Sequence, residues 1–310
     1  MLTLAMFRNG FSLVELAIEW ASRYTGVLHA VQNLCYPLHG NEKLNMFRLN
    51  RKLHKSVNDG NVIEVIEVDG VRSLYLGSIT IQSSMRTKTP FALELAYSRG
   101  MMSFLLFTNK AKHVLSIGLG GGSVPKFMHA FCPTITQTVV EINPQIIDAA
   151  RGHFFVPHND ERLNIINGDG LLYLAQSPNS ADVLMIDAFD SLGIPPDFCS
   201  QDFFDSCEMA LKIYGIFVIN LWGSDKNFDI YLRRIEQSFN ESVLILPTGK
   251  PGNIVVFGFK SQINFKLANL HERAKELEAQ FEKPHVIEFT SFVEKLCEHN
   301  PHDHIKFLHN

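Results

Sequence analysis

The segment from His113 to Ile117 reads as a short buried strand, and it runs without interruption into Gly118-Leu119-Gly120-Gly121-Gly122-Ser123. Pro125 follows, well placed in the first turn of a helix because the N–H it lacks is one that a helix start leaves unpaired anyway. Glycines let a backbone approach a ligand closely, and the helix N-terminus offers unpaired N–H groups. Dinucleotide-binding and S-adenosyl-binding folds both use this junction. Glu141 closes the next predicted strand, Thr136 to Val140, where a carboxylate can accept hydrogen bonds from both hydroxyls of a ribose.

Around that junction the pattern alternates. Pro125 to Phe131 and Pro144 to His153 are helix-like; Leu163 to Ile166, Val183 to Ile186 and Ile216 to Leu221 are strand-like, with helical stretches at Leu171 to Ala175 and Phe203 to Ile213. Strands alternating with helices imply right-handed crossovers and a mostly parallel sheet covered on both faces. Val243 to Leu246 and Asn253 to Phe259 are expected to close the sheet as an antiparallel edge pair. Upstream, Val62 to Val68, the Asp69-Gly70 turn and Val71 to Leu76 read as a hairpin, with Ile79 to Gln82 as a third short strand. After Pro90 the apolar spacing of Phe91, Leu95, Met102, Leu105 and Leu106 predicts one long helix ending near Asn109. Two amphipathic helices are expected beyond Lys260. Residues 1–60 read as an extension and connector, 61–89 as a small β domain, 90–262 as the catalytic domain and 263–310 as C-terminal helices with a His-rich tail.

Composition sets outer bounds. A chain of 310 residues that is 46% hydrophobic and 19% charged can bury a core that needs no staples. The formal charge of −4 disfavours a general nucleic-acid surface, and the basic cluster Arg48, Arg51, Lys52, His54 and Lys55 reads as a solvated face. Five cysteines without C-x-x-C spacing read as reduced, buried thiols of a cytoplasmic protein. Gly10-Phe11-Ser12-Leu13-Val14-Glu15 looks like a prepilin cleavage site, but Glu19, Ser22 and Arg23 interrupt the apolar run that a membrane span needs, so no membrane partner is expected. The tail His299-x-x-His302-x-His304 reads as solvated rather than as a metal site, and no metal or prosthetic group is expected.

Further acids stand where open α/β sheets bind their ligands. Asp169, in Gly168-Asp169-Gly170, can read an adenine amino group or cap the helix after it; Asp187 and Asp190, in Ile186-Asp187-Ala188-Phe189-Asp190, face the same crevice. Paired acids suit amine chemistry. An alkylamine titrates near the lysine value of about 10.4 and is mostly protonated at neutral pH. It must lose a proton to attack the carbon beside a sulfonium, and a carboxylate can hold the amine and accept that proton.

From Val62 to Phe259 the order and spacing resemble the spermidine and spermine synthase family: a β element ending in Gln82, the glycine-rich loop, Glu141-Ile142-Asn143-Pro144, Asp160-Glu161-Arg162-Leu163, Gly168-Asp169-Gly170 and Asp187-x-x-Asp190. The resemblance implies a class I S-adenosylmethionine-dependent methyltransferase-like (Rossmann-like) fold preceded by a small antiparallel β domain. It implies transfer of an aminopropyl group from decarboxylated S-adenosylmethionine, as co-substrate, to a polyamine such as putrescine, releasing methylthioadenosine. Gly118, Gly120, Gly121, Gly122, Glu141, Ile142, Asp169 and Gly170 would hold the nucleoside together with Gln82; Asp187 would be the general base, and Asp190 and Glu94 would serve the amine substrate. A homo-oligomer is implied as well.

The departures concern one end of the site. The family's loop usually reads G-G-G-D-G-G, and its Asp falls on Gly121; its Tyr-His-Glu triplet aligns with Ala92-Leu93-Glu94, and a Pro after the second Asp is Ser191. This resembles the divergent bacterial branch labelled spermidine synthase-like, with the adenosine pocket retained and the aminopropyl and amine pockets altered. The rival readings are a methyltransferase using intact S-adenosylmethionine, for which loss of the loop acid makes room, and a non-catalytic nucleoside-binding protein. A dehydrogenase has no use for the paired acids.

Overall fold

The computed structural model describes residues 50–58, 61–78, 80–189, 193–249, 252–262, 265–281 and 285–300. The prepilin-like segment, Cys35, Asp190, His302 and His304 lie outside the described residues.

Four strands form a small antiparallel sheet: β1 (Asn50–Asn58), β2 (Asn61–Val68), β3 (Val71–Leu76) and β4 (Ile81–Arg86), paired in sequence order. The predicted hairpin is β2–β3, with Val68 opposite Val71. Two expectations are corrected. Residues 50–58, read as connector, are a strand, and the third predicted strand runs from Ile81 to Arg86 instead of ending at Gln82. β1 has no apolar alternation because it is a largely exposed edge, held by backbone pairing to β2 and by Lys52 and Lys55, whose ammonium groups lie 2.7 and 3.2 Å from the Glu64 carboxylate. Arg51, Lys52 and Lys55 of the basic cluster are exposed on this edge, where packing does not decide the pattern, His54 packs against His153, and Arg48 lies outside the described residues.

The main sheet takes β5 (His113–Ile117), β6 (Thr136–Glu141), β7 (Leu163–Asn167), β8 (Ala181–Ile186), β9 (Leu211–Trp222), β10 (Val243–Pro247) and β11 (Asn253–Phe259). Its order is β10-β11-β9-β8-β5-β6-β7, with β5 to β9 parallel and β10 and β11 the antiparallel edge pair. This is the class I methyltransferase-like, Rossmann-like sheet that the alternation implied. The outer edge of β10 is met by Asn300, which accepts from Ile245 N–H at 2.7 Å and donates to its carbonyl at 2.8 Å.

Described helices are α1 (Ala96–Met101), α2 (Phe104–Phe107), α3 (Ser123–Phe131), α4 (Pro144–Phe154), α5 (Gly170–Ala175), α6 (Gln201–Ala210), α7 (Phe228–Ser238), α8 (Leu267–Gln280) and α9 (Phe289–His299). The long helix expected after Pro90 is instead a turn region followed by α1 and α2. Arg99 explains the late start: its guanidinium takes the carbonyls of Leu93 and Glu94 at 2.9 and 3.0 Å and the Glu288 carboxylate at 2.9 Å, so those carbonyls bind a side chain in place of the next helical turn. The helix expected to reach Ile213 ends at Ala210, and β9 begins at Leu211 with Ile213 and Tyr214 exposed.

Helices α1 to α3, α8 and α9 bury one face of the main sheet, with Phe104, Phe127, Val218, Phe257 and Phe292 at its centre. Helices α5 to α7 bury the other, around Phe204, Phe217 and Phe239. The small sheet packs Ile63, Val65, Leu74 and Met85 against Ile147, Ala150 and Phe154 of α4. That contact carries the β3–β4 region to the carboxyl end of β5. No described helix is long and apolar enough to cross a membrane.

Candidate active site

β5 lies between β6 and β8, so successive crossovers leave it in opposite directions, and a crevice opens beyond the carboxyl ends of these strands. A cavity of about 730 Å³ occupies that crevice. Gly118, Gly120, Gly121, Glu141, Ile142, Asp169 and Gly170 line it, as do Gln82 and Asp187. Gly122 and Glu94 do not. Gly122 sits at the N-cap of α3 in the left-handed region (φ 64°), and the Glu94 carboxylate is held by Arg86, with Nε at 3.2 Å. The Glu94 carboxylate, implied to serve the amine substrate, is thus paired with Arg86 away from the cavity lining.

At one side of the cavity Glu141 is 6% exposed. Its two carboxylate oxygens accept from the Leu119 and Asn143 N–H groups, each at 2.9 Å, which leaves further lone pairs on both oxygens. Burial raises its pKa, against the lowering effect of the backbone N–H groups around it. Asp169 shows the cap that its sequence position allowed and a place on the cavity wall. It caps α5 by accepting from Leu171 N at 2.8 Å, and it lines the cavity. Gly118 (φ 93°) must be glycine, because a Cβ there would stand 2.4 Å from the Asp187 carbonyl oxygen.

Asp187 follows β8 directly. Burial pushes its carboxyl up to about 6, although Asn220 and Tyr97 hydrogen-bond it and pull the other way. Asn220 Nδ2 donates to Oδ1 at 3.0 Å. The Tyr97 hydroxyl lies within reach of the same carboxyl and of the Gln82 carbonyl, 3.0 Å away, and burial with the adjacent Asp187 drives its own pKa well above the ordinary tyrosine value. Gln82 lines the cavity, and its Nε2 is buried without a hydrogen-bond partner among the described residues.

Tyr97, Asn220, Ser83 and Ser123 escaped the sequence reading. Asn220 carried a usable signal, since an amide inside the apolar run Ile216 to Leu221 needs partners when buried. Tyr97 carried none, because one tyrosine at helical spacing reads as core. Among the described residues no group of three or more His, Cys, Asp or Glu side chains could hold a metal ion.

A sequence model described as the spermine/spermidine synthase domain matches residues 94–265. A polyamine aminopropyltransferase of Chromobacterium violaceum is 38% identical over 256 residues, covering 82% of this chain and 97% of that protein. The chain belongs to the spermine/spermidine synthase family. Among solved structures, a spermidine synthase in complex with the transition state analogue AdoDATO is 19% identical at a TM-score of 0.65, covering 86% of this chain and 96% of that one. Human methyltransferase-like protein 13 in complex with SAH is 26% identical at a TM-score of 0.56, covering 61% of this chain and 94% of that one.

This family member differs from the family's usual loop at Gly121 for a steric reason. A Cβ at Gly121 would lie 2.6 Å from Ser83 Oγ, 2.9 Å from Ser83 Cβ and 3.1 Å from a Phe154 ring carbon. Ser83, whose Oγ is 3.1 Å from Ser123 Oγ, fills the space that a loop side chain would need. Gly121→Ala is therefore expected to lower stability by about 1 to 3 kcal/mol through overpacking, and Ser83→Gly in the same chain should recover part of it. Thermal unfolding of the single and double variants checks this; equal melting temperatures for wild type and Gly121→Ala would show that the loop gives way freely.

Proposed function

We propose that the chain transfers an aminopropyl group from decarboxylated S-adenosylmethionine to a polyamine such as putrescine, releasing methylthioadenosine. The observation that carries this reading is the half-buried carboxyl of Asp187 at the wall of the cavity that Glu141 and Asp169 also line. β6 and β8 flank β5, so at the usual strand spacing their carboxyl ends stand about 10 Å apart. That separation supports a part for Asp187 near the sulfonium of a donor whose ribose hydroxyls bind Glu141.

In this reading Gln82, Ile142, Gly170 and the loop glycines Gly118, Gly120 and Gly121 pack the nucleoside, and Asp187 takes the proton of the attacking amine. The amine nitrogen forms a bond to the propyl carbon attached to sulfur as that carbon–sulfur bond breaks. The electron pair passes to sulfur, which leaves as a neutral thioether, and the proton released by nitrogen goes to the Asp187 carboxylate. Asp190, three residues on in the sequence, would add charge to hold a dicationic acceptor. The thiols of Cys132, Cys199, Cys207 and Cys297 are free, which supports a place in the reducing cytosol.

A base must be ionised to act. Because burial holds Asp187 at about 6, kcat/KM is expected to fall as pH drops through about 6, where an ordinary aspartate at 3.8 would still be charged. A pH profile of methylthioadenosine release with putrescine checks this; a profile flat down to about pH 5 would remove Asp187 as the base.

A second reading, methyl transfer from intact S-adenosylmethionine, is favoured by one feature. At Gly121 the loop carries no carboxylate, and Ser83 and Ser123 present hydroxyls where a donor's own carboxylate could be received. Calorimetric comparison of methylthioadenosine, S-adenosylhomocysteine and decarboxylated S-adenosylmethionine separates the two. Aminopropyl transfer predicts productive binding of the decarboxylated donor, with methylthioadenosine as product. Methylation of an acceptor by S-adenosylmethionine, with no methylthioadenosine formed from any amine, would select the second reading.

A further inference from the structure

The strand register aligns three side chains across the carboxyl end of the main sheet. Ile186 of β8 pairs with Ile219 of β9, so Asp187 comes beside Asn220. Asn220 in turn pairs with Val255 of β11, and Asn253, two residues away, shares its face on the diagonal. The contacts follow the register. Asn253 Nδ2 donates to Asn220 Oδ1 at 2.9 Å, and Asn220 Nδ2 donates to Asp187 Oδ1 at 3.0 Å. Asn220 is 2% and Asn253 8% exposed, and neither lines the cavity. The Thr248 N–H and hydroxyl, donating to the Asn253 carbonyl at 3.0 and 2.9 Å, secure the outer end.

A carboxamide has a donor side and an acceptor side, so its orientation decides what it does to a neighbouring acid. With the N–H side toward Asp187, Asn220 stabilises the carboxylate; turned over, its carbonyl oxygen would stabilise the protonated acid. The other polar side chain on Asp187 is Tyr97 from α1, also neutral. Tyr97 has one proton for two acceptors, the Gln82 carbonyl and Asp187. Asn220 is therefore the donor that Asp187 keeps whichever way the Tyr97 hydroxyl turns.

We infer that Asn253 is a positioning residue: by donating to Asn220 Oδ1 it holds the Asn220 amide with its N–H side toward Asp187, and so favours the carboxylate form that receives the substrate's proton. The catalytic consequence rests on the proposed function, but the effect on the Asp187 carboxyl does not. Turning the Asn220 amide over would set its N–H side against the Asn253 donor, so Asn253 disfavours that orientation in both protonation states of Asp187; without it the Asn220 amide is free to turn when Asp187 is protonated.

The test compares Asn253→Leu, Asn220→Leu and the double variant in the full chain. The Asp187 carboxyl is titrated by carbon-13 NMR, its signal assigned by its loss in Asp187→Asn, and kcat/KM is measured across pH. Asn253→Leu is expected to raise both the NMR titration midpoint and the acid limb of the rate by about half a unit, and Asn220→Leu by about one unit. The double variant should match Asn220→Leu, because Asn253 acts through Asn220. Asn253→Ala makes the same test by truncation if the leucine variant does not fold. An unchanged Asp187 midpoint in both Asn253 variants, a rate loss equal at every pH, or an Asn253 effect that persists undiminished without Asn220 each overturn the inference. A wild type that releases no methylthioadenosine with any amine defeats the proposed reaction alone, since the NMR comparison is made without turnover.

Discussion

Asp187→Asn is expected to lower turnover by roughly a hundred- to ten-thousand-fold, the range for a lost general base, while leaving methylthioadenosine affinity within about twofold. Asparagine keeps the shape of the side chain and can still accept from Asn220, but it cannot take a proton. The same variant should be more stable than the wild type at neutral pH. The folded-state pKa of Asp187, about 6, lies above its ordinary 3.8, so folding favours the protonated acid and the ionised form costs stability above about pH 6. Asparagine removes that cost, on the order of 1 to 3 kcal/mol near pH 8, and the advantage should shrink as pH falls from about 6 toward 3.8. Methylthioadenosine release and thermal unfolding, each measured across pH, check the two halves. A variant with near-normal turnover would leave the reaction standing and strip Asp187 of its part.

Glu141→Ala is expected to weaken methylthioadenosine binding by about 2 to 3 kcal/mol, roughly thirty- to a hundred-and-fifty-fold, because a buried carboxylate that accepts two ribose hydroxyls is not replaced by water in a closed site. The same change leaves the Leu119 and Asn143 N–H groups without acceptors, so a fall in melting temperature should accompany it. Calorimetry on the folded variant separates the two effects. Unchanged affinity would withdraw the ribose assignment and confine Glu141 to holding the loop.

The two variants probe different kinds of knowledge. Glu141 and Asp187 were legible because a polar residue that ends an apolar strand beside a glycine-rich turn has few uses other than a ligand in the crevice. Tyr97 and the partners of Asn220 were not, because they depend on which helices and strands become neighbours. β8, β9 and β11 are separated in the chain and meet only through crossovers and an antiparallel return. Glu94 shows the same dependence on spatial neighbours. Its place in a motif suggested a ligand, yet Arg86 of β4 lies close enough in space to take its charge.

The chain's own pattern determined the alternation of strands and helices, the parallel sheet with its antiparallel edge, the glycine loop and the acids at the strand ends, because these rest on local periodicity, turn chemistry and the obligatory pairing of buried backbone groups. The tertiary structure alone decided the fourth strand of the small sheet, the break of the helix after Pro90, the filling of the Gly121 space by Ser83 and the amide chain that reaches Asp187. Each of these depends on which groups packing brings together: an ion pair across an edge, a guanidinium held by Glu288 as it captures carbonyls, a serine against a loop, and two amides on one face of the sheet. Local pattern constrains what a segment can be, whereas the proton affinity of a buried acid is set by whichever neighbours the packed sheet brings against it.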